Sequence, residues 1–161
     1  MGLGELSGIL WRERQLLELL LFKLEEEQLL LAAGRTRWLP RATKEVEIVL
    51  DEIRCSELER AVEVERVAAD LGLKAGNPSL RRLAESAASP WGGLLAEHRQ
   101  AFLTLTEEIT GLVQTNRELL SRGQQAVRDV MASLGEGRAD VVYSRTAPVD
   151  SGRPLFIDEA M

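Results

Sequence analysis

Cysteine and histidine are almost missing from this chain. One Cys, Cys55, stands in 161 residues and cannot close an internal disulfide, so a small secreted scaffold held by bridges is excluded. One His beside that one Cys falls short of the four ligands a structural zinc site of these types needs. Aromatic residues make up only 4%. The longest apolar run, Leu16 to Leu24, is broken by Glu18 and Lys23 and falls short of the ~20 apolar residues that span a bilayer. A basic start and a small-residue cleavage site, the marks of a secretory leader, are both lacking. Met1-Gly2 opens like a myristoylation signal, but Leu6 holds the place of the required hydroxyl residue. Positive charge is in deficit, with 20 Lys+Arg against 26 Asp+Glu and a net charge of -6. That balance argues against a nucleic-acid partner, whose binding face is basic. These features predict a cytoplasmic protein without stable membrane insertion, and the lone thiol suits a reducing compartment.

What fills the chain is Leu, Glu and Arg at helical spacing, which predicts an all-α fold. A first segment runs from about Glu5 to Ala33. Leu6, Ile9 or Leu10, Glu13, Leu17, Leu20, Leu24 and Leu31 line one of its faces. The stretch from Leu16 to Leu24 is apolar on most sides, as in a helix buried on several faces or paired with a partner. Glu25-Glu26-Glu27 reads as a solvated patch and Gly34 as a C-cap. After a connector, Pro40 suits the first turn of the next helix. This second segment, about Arg41 to Leu71, carries its stripe on Val46, Val49, Ile53, Val64 and Val67 and ends at Gly72. The acidity lies in these two segments, where ten basic and fifteen acidic residues precede Leu71.

Gly76-Asn77-Pro78-Ser79 breaks the chain before a short helix over Leu80 to Ala87. Ser89 as N-cap and Pro90 at the first helical position then open a third segment that reaches about Leu134. Gly92-Gly93 weakens its first turn. From Leu95, His98 and Phe102, through Ile109, Asn116 and Gly123, to Val130 and Leu134, its seam steps by three and four like a heptad repeat. Such a helix is roughly 65 Å long at ~1.5 Å per residue, so both other segments must run beside it. The expected architecture is an elongated, coiled-coil-like antiparallel bundle of three long helices with a short connecting helix, over residues 1–135. Residues 136–161 have Pro148, Gly152 and Pro154 and no sustained period, and they read as a flexible C-terminal tail. The tail's apolar islands, Val141-Val142-Tyr143 and Leu155-Phe156-Ile157, are either linear motifs that order on contact or part of a frayed end.

Little in the chain points to catalysis. His98 sits on the seam with no second His and no Ser or Cys at a meaningful spacing, which fits a core residue better than a general base. Cys55 reads as a small structural residue, although Arg54 beside it is of the kind that lowers a thiol pKa. The carboxylates spread along helix faces among Arg residues, and no Glu-x-x-His pair marks a di-iron bundle. Gly111 and Gly123 form no phosphate loop. The expectation is therefore no enzyme, no metal and no cofactor. Asn116 and Gly123 interrupt the apolar seam: a buried Asn sets register or partner number, and a Gly opens a gap for another backbone. Together they predict either a docking groove on the C-terminal half of the third segment or a local irregularity.

Three stretches, taken in order, resemble the FlgN family of flagellar export chaperones. They are the Leu-rich opening Leu16 to Leu31 with its Glu cluster and Gly34 turn; Thr43-Lys44, Val49-Leu50-Asp51-Glu52-Ile53 and the close Glu65-Arg66-Val67; and Leu112-Val113-Gln114-Thr115-Asn116-Arg117-Glu118-Leu119-Leu120. The tail, with Tyr143 and an Asp-Glu-Ala ending, is similar too, although Ser144-Arg145 stands where a Gly is common. The resemblance implies a type III export chaperone that binds the C-terminal helical region of the hook-associated proteins FlgK and FlgL. It implies that premature assembly is prevented and the clients are delivered to the export gate protein FlhA. Carried over, Leu119, Leu120, Val127, Val130, Met131 and Leu134 face the client helix and Tyr143 contacts the gate. A weak homodimer is compatible with it. The heptads alone equally suit a self-associating coiled-coil scaffold or adaptor without a secretion role, and more weakly a regulatory bundle that binds a transcription factor.

Overall fold

The computed structural model describes residues 2–74 and 76–136. Its helices are α1 (Gly2–Ala32), α2 (Leu39–Asp70), α3 (Leu80–Ser86) and α4 (Trp91–Glu136), with one 3-10 turn over Thr36–Trp38 ahead of α2. This is the expected all-α arrangement of three long helices and a short connecting one.

Glycine stops the first two helices. Gly34 at φ 64° and Gly72 at φ 69° adopt the left-handed conformation that side chains resist. At each stop an amide turns back onto a helix carbonyl, Arg35 N–H to Leu30 O and Leu73 N–H to Ala68 O, both at 2.9 Å. Pro40 lies in the first turn of α2, as its fixed φ allows. Ser79 caps α3, its hydroxyl accepting from Arg82 N–H at 3.3 Å.

The start of α4 departs from expectation. Pro90, rather than Ser89, holds the cap position: α4 begins at Trp91, and the Pro90 carbonyl accepts from Leu94 N–H at 3.3 Å. Gly92 is more than a weak spot. A Cβ there would lie 2.8 Å from Ala84 O and 2.9 Å from Ala87 O, so the end of α3 presses on a surface only glycine provides. Gly92→Ala therefore costs about 1–3 kcal/mol, through forced backbone shifts. Gly93→Ala, whose Cβ meets nothing within 4 Å, is neutral or stabilising by up to ~1 kcal/mol. Thermal melts of the two variants check this pair.

Cross-helix contacts set the directions. Arg12 meets Glu59 at 2.7 Å and Lys23 meets Glu45 at 3.1 Å, so α2 runs antiparallel to α1. Ser7 meets His98 and Asn116 meets Leu24, so α4 runs parallel to α1. The chain goes up, down and up, with α1 as the spine against which both other long helices pack. This position explains the nearly all-round apolar stretch of α1. Leu6, Leu10, Leu83, Leu95 and Phe102 close the core at the α3 end. Leu20, Leu24, Val46, Val49 and Ile109 continue it toward the other end.

α4 is longer than its spine. With Asn116 abreast of Leu24, the end of α1 falls beside residue 124 or so. Beyond it α4 continues alone for about 12 residues, or ~18 Å.

Candidate functional site

The seam of α4 does not stop where the bundle does. Val113, Leu120, Val127 and Leu134 recur every seven residues, as do Ile109, Asn116, Gly123 and Val130. Both columns begin inside the bundle and run onto the unaccompanied stretch. Ile109 is buried, whereas Val127, Val130, Met131 and Leu134 are 59–66% exposed. Leu120, 43% exposed, stands at the transition and Leu119 beside it is half-buried. An amphipathic helix normally spends such a stripe on its own core, so here apolar surface is left over. The six residues expected to face a client thus lie on one stretch of one helix. Tyr143 lies outside the described residues.

Above the overhang the stripe opens into a groove of about 520 Å3 between α1, α2 and α4. Leu20, Leu24, Val46, Ile109 and Val113 line its interior. Its mouth is framed by Leu31, Leu39 and Leu120. The groove exists because α2 and α4 each pack along α1 and form no comparable interface with one another. Sequence reading points to α4 alone; the α1 and α2 walls read as ordinary core, because periodicity does not reveal which core residues end beside a gap.

Asn116 is 4% exposed, at the groove wall. Its Nδ2 donates to Leu24 O at 3.0 Å and to Glu27 Oε1 at 3.2 Å, while Oδ1 has no donor among the described residues. These bonds couple α4 to α1 at a single relative height, the physical basis for a register role. Asn116→Ala is expected to cost about 1–2 kcal/mol and to lower the urea midpoint accordingly. A Cβ on Gly123 would meet nothing within 4 Å, so packing within this chain does not require glycine there.

Of the remaining candidates His98 takes a structural place, whereas Cys55, expected as a small structural residue, does not pack in the core. His98 is 1% exposed, its Nε2 lies 3.3 Å from Ser7 Oγ, and the Trp11 ring meets it edge-on at 5.1 Å. The fold thus supplies a serine neighbour that linear spacing did not reveal. Nδ1 has no partner among the described residues, so no carboxylate orients the ring. Burial, then the nearby Arg14 cation, lowers its pKa, which keeps the imidazole neutral near pH 7. Cys55 is exposed on α2.

Sequence reading placed Glu13 on the stripe of α1 without naming a partner. Glu13 is 3% exposed, with Oε1 3.1 Å from Arg60 and Oε2 unpartnered among the described residues. Burial raises its pKa to about 7; Arg60 opposes the rise and neighbouring Glu57 adds to it. Arg60 also sits 5.9 Å from the centre of the Phe102 ring.

No helix among the described residues is long and apolar enough to cross a membrane. No protein of curated function and no solved structure matches the chain. The sequence model of the FlgN protein family matches residues 1–149, which takes in every described helix. The chain belongs to the FlgN family, whose members serve as chaperones in flagellum assembly.

Proposed function

We propose that this chain is a cytoplasmic export chaperone that holds the C-terminal helical region of the hook-associated proteins FlgK and FlgL, prevents their early assembly and delivers them to the export gate protein FlhA. The observation that carries the reading is the run of exposed apolar side chains on α4 beyond the end of α1, Val127, Val130, Met131 and Leu134. A client helix laid along this stripe restores the missing neighbour, burying i, i+3, i+4 and i+7 positions from both partners. Two columns spaced by seven suit a coiled-coil-like partner. The chain's net charge of -6 favours solubility while the stripe is uncovered. Tyr143, just past α4, is the residue assigned to the gate.

Size-exclusion chromatography with light scattering tests this reading, using the protein alone and mixed with the C-terminal helical region of FlgK from the same organism. A discrete one-to-one complex is expected. Absence of a complex, with a stable homo-oligomer of the free chain, would transfer the stripe to self-association and leave a coiled-coil scaffold. Ending the chain after Gly123 keeps the described packing against α1 and removes most of the stripe. That variant is expected to stay helical and to lose the complex.

A further inference from the structure

The groove between α1, α2 and α4 is apolar inside, and the chain continues for 25 residues beyond α4. We propose that the segment Arg153-Pro154-Leu155-Phe156-Ile157-Asp158-Glu159 of this same chain occupies that groove when no partner is bound, with Leu155, Phe156 and Ile157 against the apolar interior.

Reach selects this island over the other. From the end of α4 back to Leu120 at the groove mouth is ~24 Å of helix, and back to Ile109 ~40 Å. Tyr143, the far end of the other island, stands seven residues past Glu136, an extended span of ~24 Å, which meets the mouth only when fully straight with nothing left for the turn and falls far short of Ile109. Leu155 stands nineteen residues past Glu136, a span of up to ~60 Å, which reaches the groove with slack for the turn. The family match stops at residue 149, before this segment begins.

Size and charge order agree. About 520 Å3 lies within the roughly 300–1,000 Å3 of sites that enclose a few side chains. Glu27 lines the mouth side and Arg54 the opposite side, with Glu47 and Asp51 on the α2 rim between them and Arg117 on the α4 rim. The α1–α2 ion pairs place Arg54 abreast of about residue 16 of α1. Glu27 and Arg54 are then ~16 Å apart along the spine. Arg153 and Asp158 are five residues apart, also ~16 Å when extended. A segment entering from the mouth brings Arg153 to Glu27 and Asp158 to Arg54. Glu159 follows beside it. Arg54 already contacts Asp51 at 2.6 Å, but exposed pairs of this kind are worth little and exchange readily. Arg117, which has no ion-pair partner among the described residues, offers the tail carboxylates a further cation.

Placing a photoreactive benzophenone at position 156 of the full chain tests the proposal without any client. Irradiation at low protein concentration is expected to give intramolecular crosslinks to residues 46–54 and 109–120. The same probe at position 143 is expected to give none to residues 46–54 or 109–116, deeper than the mouth. An Arg153→Glu, Asp158→Arg variant carrying the probe at 156 should lose most of the groove crosslinks. Crosslinks confined to other surfaces, crosslinks only between two molecules, or none at all would each overturn the proposal. The outcome is independent of whether FlgK binds, so a failed client experiment and a failed tail experiment remain distinguishable.

Discussion

Val127→Asp combined with Val130→Asp leaves the melting temperature of the bundle almost unchanged and weakens FlgK capture more than a hundredfold. The two halves of this expectation have separate causes. Both side chains are at least 59% exposed, so neither contributes to the core, and surface changes of this kind stay within about ±0.5 kcal/mol. In the proposed complex the same positions sit under the client helix. Each then carries an unpaired carboxylate into a desolvated contact, at a cost of the order of 2 kcal/mol or more per anchor residue. Calorimetry for capture and a thermal melt for stability separate the two halves. A large fall in melting temperature would show that this stretch packs within the chain, and undiminished capture would place the client elsewhere.

Replacing Arg60 by Met is expected to remove about 1–2 kcal/mol more stability at pH 8 than at pH 5, because a Glu13 that titrates at about 7 escapes the lost pairing by taking up a proton. Glu13 is buried, and without the guanidinium at 3.1 Å its charged form has no compensation. At low pH the carboxyl accepts a proton and the penalty fades. The parent chain shows a milder version of the same slope. The unfolded chain releases this proton near the ordinary value of 4.5, whereas the folded chain holds it to about pH 7. The folded state therefore binds more protons across that window, and the Glu13 contribution, on the order of 3 kcal/mol, is present below about 4.5 and lost as pH rises through 7. His98 acts in the opposite sense. Its lowered pKa means the unfolded chain takes up a proton first, so its contribution is present above 6.5 and lost as pH falls below it. Urea midpoints measured from pH 5 to 8 on the parent, Arg60→Met and a Glu13→Leu, Arg60→Met double variant check this. The double variant is expected to regain most of the loss and to lose the Glu13 slope.

Much of this fold was legible in local pattern. Helix ends at Gly34 and Gly72, the short helix after Ser79, and the long seam of α4 all follow from residue chemistry acting within a few positions. At Ser89 and Pro90 the expected start is displaced by one residue, and the carbonyl of Pro90 takes the first helical hydrogen bond. What stayed hidden was tertiary. Gly92 read as a weakness because the α3 carbonyls against it are remote in pattern though near in space. Glu13 sat on the predicted stripe, but its partner Arg60 lies across the α1–α2 interface. The candidate site divided in the same way. The α4 stripe was readable because the heptad spacing continues from Ile109 to Leu134, across Asn116 and Gly123. The point where the bundle leaves that stripe uncovered depends on α1 ending at Ala32 while set parallel to α4, and no single segment encodes that relation.

An odd number of long helices has a consequence for how this protein is handled and tethered. Small domains commonly bring their two ends close together. Here α1 begins beside the start of α4, and α4 then travels ~69 Å to its own end. A fluorophore, affinity handle or immobilising surface joined ahead of Gly2 therefore sits at the pole opposite the overhang and leaves it unobstructed. The same attachment just after Glu136 would crowd the exposed stripe assigned above to a partner.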